Sequence, residues 1–141
     1  MANLLAKDVM SKKPEFLPPT ATLKQAADQM RTHDYGFLPV GENDKLVGAL
    51  TDRDIAIRAV AEGRDPGKTT IKDVMSKGIH YCFETDSLED VAQMMEQLQV
   101  RRLVVLNKDK RMTGIISFGD LATKCKNNKL CGEIAEAVSH H

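Results

Sequence analysis

Two segments of the chain set a hydroxyl beside a carboxylate at a spacing that could do chemistry. They are Gly48-Ala49-Leu50-Thr51-Asp52-Arg53-Asp54 and Gly114-Ile115-Ile116-Ser117-Phe118-Gly119-Asp120. In each, a glycine stands three residues before a Ser/Thr and an aspartate three residues after it. One reading is a capping box, in which hydroxyl and acid satisfy each other's backbone N–H groups for about 1 kcal/mol of helix stability. A second reading uses the same atoms. A helix start offers unpaired N–H groups and partial positive charge, which suit a phosphate. Thr51 or Ser117 could donate its hydroxyl to that phosphate, and Asp54 or Asp120 could accept both hydroxyls of a ribose. One segment alone leaves both readings open.

Other chemistries find little support in the chain. It has no Ser-His-Asp candidate, no glycine-rich loop ending in Gly-Lys-Ser/Thr, and no carboxylate pair with a plausible acid–base partner. A non-enzyme is therefore expected. Three cysteines (Cys82, Cys125, Cys131) form neither an even disulfide framework nor a CxxC pair. His33, His80, His140 and His141 show no ligand-like spacing, so no metal site is expected. Among 141 residues, 20 Lys+Arg balance 20 Asp+Glu, and residues 1–65 alone carry 9 basic against 10 acidic side chains. That balance gives no field to attract a polyanion, and 4% aromatics make a poor base-stacking platform, so nucleic acid is not an expected partner. No apolar run approaches the ~20 residues that cross a bilayer, and the first residues lack the pattern of a signal peptide. A cytoplasmic location follows as an expectation.

The elements that must position the two segments repeat. Lys7-Asp8-Val9-Met10-Ser11-Lys12 recurs unchanged as Lys72-Asp73-Val74-Met75-Ser76-Lys77, an offset of 65. Leu23 then maps to Leu88, Met30 to Met95 and Val40 to Val105. One inserted residue raises the offset to 66, so that Gly48 maps to Gly114 and Asp54 to Asp120. Each copy opens with a short extended run, Glu15–Leu17 or His80–Phe83. A helix start follows at Thr22-Leu23-Lys24-Gln25 or Ser87-Leu88-Glu89-Asp90, where a hydroxyl can cap and the residue three later can cap back. Leu23, Ala26, Ala27 and Met30, or Leu88, Val91, Ala92 and Met95, form one apolar stripe. Two apolar strands come next, Phe37–Val40 with Leu46–Leu50, and Leu103–Leu106 with Met112–Ile116, each pair joined by a polar turn. A second helix is expected from Asp54 and from Asp120. Met10, Met30, Met75, Met94 and Met95 read as core filler, and Asp8 and Asp73 as caps or solvated acids. The division is copy one over 4–61, a Gly/Pro/charge-rich linker over 62–70, copy two over 71–125, and a tail over 126–141.

The twice-repeated G-x-x-[ST]-x-x-D segment, the DVMS starts at Asp8–Ser11 and Asp73–Ser76, and the Phe37–Val40 and Leu103–Leu106 strands together resemble the CBS-domain family as a tandem pair, or Bateman module. The resemblance covers about residues 4–125. It implies an α/β (α+β) fold of two βαββα repeats packed with pseudo-two-fold symmetry around paired three-stranded sheets. It also implies clefts that take AMP, ADP or ATP, sometimes NAD or S-adenosylmethionine, with the Ser/Thr on phosphate and the Asp on ribose. Carried onto this chain, those residues are Thr51 and Asp54, then Ser117 and Asp120. No further cofactor is implied. Pairs of this kind dimerise through their helices and pass a shape change to an effector protein. A ligand-independent structural or oligomerisation module is the alternative expectation.

The two sites are not expected to be equal. Arg53 stands between hydroxyl and acid in copy one, where copy two has Gly119. Copy two carries Arg101-Arg102 where copy one has Gly36-Phe37, and an arginine facing a phosphate makes charge-assisted bonds worth roughly 1.5–3 kcal/mol. Each arginine could equally be a solvated surface cation. Phe37 and Pro39 could line an adenine slot, with core packing the competing role for Phe37. In the tail, Leu130, Ile134, Ala135 and Val138 fall on one helical face, which would suit packing on the second copy or on a dimer partner, the dimer contact being preferred.

Overall fold

The computed structural model describes residues 4–12, 14–34, 36–77 and 80–123. In chain order the elements are helix α1 (Ala6–Val9), strand β1 (Ser11–Lys12), helix α2 (Leu23–His33), strands β2 (Phe37–Glu42) and β3 (Lys45–Thr51), and helix α3 (Asp52–Ile55). A π-helical turn (Ala56–Val60) continues α3, and a 3-10 turn (Ile71–Asp73) lies further on. Strand β4 (Tyr81–Phe83), helix α4 (Leu88–Leu98), strands β5 (Arg102–Leu106) and β6 (Met112–Ser117) and helix α5 (Phe118–Thr123) complete the described chain. The tail over 126–141, with Cys125 and Cys131 and the expected amphipathic helix, lies outside the described residues.

These elements form two compact α/β units, one from residues 15–79 and the other from residues 1–14 together with 80–141. The units therefore exchange the opening hexapeptides of the two sequence copies. Ser11 and Lys12 pair antiparallel with Ile115 and Gly114 on β6. In the other unit, Ser76 and Ala49 exchange backbone hydrogen bonds of 2.9 and 3.0 Å. Glycine makes this approach possible. A Cβ on Gly114 would lie 2.8 Å from the Ser11 carbonyl oxygen and against Met10 Sδ. One on Gly48 would lie 2.7 Å from Met75 Sδ and 3.0 Å from the Ser76 carbonyl oxygen. The glycine that opens each G-x-x-[ST]-x-x-D segment thus serves the arm that crosses it.

In the unit of residues 15–79, β2 and β3 form a hairpin in which Phe37 faces Thr51 and Pro39 faces Ala49. Leu17 adds a single parallel bridge, donating to the Pro39 carbonyl (3.4 Å) and accepting from Gly41 (3.0 Å). Pro18 and Pro19 carry no N–H, so the ladder stops there. The expected three-stranded sheet is here a two-stranded hairpin with one-residue bridges at both edges. Leu23, Ala26 and Met30 of α2 pack with Leu38, Val40, Leu50, Ala59, Ile71 and Val74. Ala27, expected in that stripe, is exposed, because the buried side of α2 runs through Leu23, Ala26 and Met30 and leaves Ala27 on its flank. The 62–70 stretch is fastened to the same helix. The Thr69 and Pro66 carbonyls accept the Leu23 and Lys24 N–H groups, each at 3.0 Å, which would otherwise be orphans of the first turn.

The other unit holds a four-stranded sheet in the order β1-β6-β5-β4, with β4 parallel to β5 and the rest antiparallel. It exceeds the expected three strands because β1 joins at an edge. Leu88, Val91, Ala92 and Met95 of α4 pack on Leu103, Val105, Ile116 and Leu121. Both long helices are capped as expected, with a difference. Thr22 and Gln25 cap each other reciprocally, whereas Ser87 accepts the Asp90 N–H without a return bond. Asp8 and Asp73 are caps. Asp8 accepts the Leu5 N–H (2.8 Å), and Thr70's hydroxyl and amide hold the Asp73 carboxyl below its ordinary range.

Two expectations follow. Gly114→Ala forces a methyl to 2.8 Å from the Ser11 carbonyl oxygen and against Met10, so it costs about 1–3 kcal/mol by urea denaturation; Gly48→Ala costs less, because its nearest carbonyl oxygen stands at 3.0 Å and the closer Met75 side chain can move. Equal stability of all three proteins would refute the close-approach account. Cys82 is buried, and burial foremost, with the Asp86 charge beside it, pushes its thiol up to about 12. In a Cys125→Ser/Cys131→Ser background, Cys82 stays unreactive to a disulfide reagent at pH 8 until the protein is unfolded.

Candidate functional site

Each unit ends its last strand on the hydroxyl residue and begins a helix one residue later. Thr51 is the N-cap of α3, in extended backbone at φ −116° and ψ 162°. Its hydroxyl accepts the Asp54 N–H at 3.1 Å, and Asp54 Oδ2 accepts the Thr51 N–H at 3.0 Å. Ser117 and Asp120 repeat this, with Asp120 donating to Ser117 Oγ at 3.0 Å and Ser117 donating to Asp120 Oδ2 at 2.8 Å. The helices accordingly start at Asp52 and Phe118, two residues earlier than expected from Asp54 and Asp120. The reason is that a capped first turn places the acid at its third position.

The reciprocal bonds leave atoms over. Only Oδ2 of each carboxylate is used by the cap. Asp120 Oδ1 has no hydrogen-bond partner among the described residues, and Asp54 Oδ1 faces Arg58 Nε at 4.0 Å. Each hydroxyl accepts in the cap and keeps its own hydrogen for another acceptor. Thr51, Asp54, Ser117 and Asp120 are all half-buried.

The sheets bring further expected residues alongside. Phe37 is the register partner of Thr51, so the two side chains share a face of the hairpin with Pro39 and Ala49. Phe37 is half-buried and Pro39 buried. In the other unit the equivalent partner of Ser117 is Arg102, likewise half-buried. The chemistry next to the hydroxyl is thus aromatic in one unit and cationic in the other.

Arg101 is exposed, and its guanidinium carbon lies 5.7 Å from the centre of the Phe118 ring, a cation–π contact. Its carbonyl accepts the Phe118 N–H at 2.8 Å. The matching residues of the other unit, Gly36 and Asp52, keep the backbone bond (3.0 Å) with a different filling. A Cβ on Gly36 would collide with the Asp52 carboxylate. Arg53 is exposed on the first turn of α3, its N–H donating to Asp52 Oδ1 at 2.8 Å. The structure therefore brings Phe37, Thr51 and Asp54 together in one unit and Arg102, Ser117 and Asp120 in the other, with Arg101 held on Phe118 and Arg53 facing outward.

Sequence reasoning passed over Arg58, whose signal was its place four residues after Asp54, and Asp52, whose signal was the absent side chain at Gly36. Among the described residues, no group of three or more His, Cys, Asp or Glu side chains is placed to hold a metal ion. No helix among them is long and apolar enough to cross a membrane.

Comparison with known proteins bears on the same segments. The family model for the CBS domain matches residues 6–60 and 71–127. CBS domain-containing protein YhcV of Bacillus subtilis is 40% identical over 134 residues, covering 95% of this chain and 94% of that protein. The crystal structure of Hypoxic Response Protein I with two coordinated zinc ions superposes with a TM-score of 0.79 at 36% identity, covering 86% of this chain and 99% of that one. The CBS domain pair of protein MJ0100, in complex with 5'-methylthioadenosine and S-adenosyl-L-methionine, superposes with a TM-score of 0.75 at 28% identity, covering 86% and 95%.

The reciprocal pairs make a stability prediction independent of any ligand. Ser117→Ala and Asp120→Ala should each cost about 0.5–2 kcal/mol in urea denaturation. The double variant should lose less than their sum, since either change breaks the same box. Strict additivity would mean the two side chains do not cap each other.

Proposed function

The chain belongs to the CBS-domain family as a tandem pair, and we propose that it is a regulatory module that binds adenosine-containing ligands at Thr51/Asp54 and Ser117/Asp120. The observation that carries this reading is the spare capacity of both capping boxes. Each keeps a hydroxyl hydrogen for a phosphate and, among the described residues, a carboxylate oxygen clear of the cap bonds for a ribose. A cap and a ligand site are compatible in the same four atoms. The adenosyl ligands held by the MJ0100 pair support the same ligand class. Signal transfer to an effector protein, dimerisation through the helices and action without catalysis belong to this reading.

The ligands are AMP, ADP or ATP, with NAD as a further candidate, together with phosphate-free adenosyl compounds of the class held by the MJ0100 pair, and the two sites divide them by charge. Arg102 beside Ser117, with Arg101 at the head of the same strand, favours a phosphorylated ligand in that unit. Phe37 beside Thr51, with Asp52 at the head of α3, favours an adenosyl group carrying little negative charge. One observation favours the alternative of a structural or oligomerisation module, namely that both boxes are complete without any ligand.

Calorimetric titration with AMP, ADP, ATP, NAD and 5'-methylthioadenosine separates these readings. A nucleotide of this size is expected to bind with Kd on the order of 10 µM. Arg102→Ala should weaken AMP at least tenfold, the loss of about one charge-assisted bond, and leave 5'-methylthioadenosine nearly unchanged. If none of these compounds binds below millimolar, and Asp54→Ala and Asp120→Ala only lower Tm, the module is structural.

A further inference from the structure

Arg58 sits on the π-helical turn that continues α3, where the Ala61 N–H reaches back five residues to the Ala56 carbonyl at 2.9 Å. π-turns inside helices cost hydrogen-bond geometry and recur at functional positions. From this turn the guanidinium spans two features that are distant in sequence. Its Nε faces Asp54 Oδ1 at 4.0 Å. Its Nη1 donates to the Val74 carbonyl at 3.2 Å and lies 3.4 Å from that of Met75. Met75 and Ser76 belong to the arm that crosses Gly48, anchored by the paired bonds of Ser76 with Ala49. Beyond that arm the chain leaves the unit.

We propose that Arg58 is a positioning residue that couples occupancy of the Asp54 carboxylate to the hold on the Val74–Ser76 arm. The proposal rests on the reading of Asp54 as a ribose acceptor. Asp54 Oδ2 already accepts the Thr51 N–H, so Oδ1, which faces Arg58 and has both lone pairs clear of the cap, is the better acceptor for a ribose hydroxyl. A ribose hydroxyl donating to Oδ1 satisfies that oxygen and leaves the guanidinium to the two carbonyls. Ligand binding then tightens the arm. A planar fork is needed, because one group must face a carboxylate with one nitrogen and carbonyls with another; an ammonium offers a single point. The second copy has Lys124 at the matching position, outside the described residues, so the coupling is assigned to the unit of residues 15–79.

Hydrogen exchange at the Ser76 amide, with and without saturating 5'-methylthioadenosine or AMP, tests this in the full chain. Wild type should show exchange at Ser76 slowed about tenfold by ligand. Arg58→Lys should keep affinity within about threefold, since a cation still faces Asp54, yet lose the ligand-dependent slowing. Arg58→Gln should lose the slowing and also bind more weakly. A merely structural arginine would shift Ser76 exchange equally with and without ligand. The coupling is overturned, and the ligand reading stands, if wild type binds but ligand leaves Ser76 exchange unchanged, or if both variants retain the slowing. If wild type binds neither compound, the ligand reading fails and the coupling falls with it.

Discussion

Close approach of backbone to backbone at Gly48 and Gly114 is the contact on which the rest of this architecture depends. At both places an arm of the chain ending in Met-Ser lies so near a strand that a single added carbon would strike a carbonyl oxygen or a methionine sulfur. The consequence reaches three residues along the same strand. Because the arm fixes β3 and β6 at their glycines, it also fixes where those strands end, and there the hydroxyl residue caps the next helix. The arm, the strand and the capped helix therefore follow one another without a break in each unit.

The capping boxes show how one arrangement can serve folding and recognition together. A short helical segment such as α3 with its π-helical continuation gains little from its own hydrogen bonds and depends on its caps and packing. The reciprocal box satisfies two backbone N–H groups, those of the hydroxyl residue and of the acid, with one lone pair of each side chain. The hydroxyl hydrogen and the second carboxylate oxygen stay outside the box, held by the cap in fixed orientation. A site organised in this way is formed before any ligand arrives, so its residues lose little further freedom on binding.

Much of this was legible in the sequence, and the limits have physical causes. The repeat, the α/β class, the caps at Thr22 and Ser87 and the four main strands follow from spacing alone, because hydrophobic period and hydroxyl–acid spacing are local signals. Exchange of the arms is not local. Identical hexapeptides at positions 7 and 72 carry no mark of which sheet each will cross, and only the glycines on the receiving strands hinted that something must come close. Ala27 failed as a core residue because a stripe two residues wide cannot be told from one three residues wide by period. Beyond its i, i+4 place after Asp54, Arg58 left little sign, because its other partners are backbone carbonyls 16 and 17 residues away, and a carbonyl leaves no trace in a sequence. Of the candidate site, the Thr51/Asp54 and Ser117/Asp120 pairs and the unequal neighbours were visible. The face that joins Phe37 to Thr51, and Arg102 to Ser117, needed the register.

That inequality also reinterprets the zero net charge of the chain. Both units solve the same local problem, keeping the residue before the middle strand bonded to the first residue of the helix, at 3.0 Å between Asp52 and Gly36 and 2.8 Å between Phe118 and Arg101. One unit puts the bulk on the helix and none on the strand approach, so the pair carries a negative charge. The other lays an arginine over a phenylalanine, so the pair carries a positive one. The backbone geometry is the same while the charge of the pair is reversed, so two copies of one fold present opposite charges at equivalent positions within a chain whose formal net charge is zero.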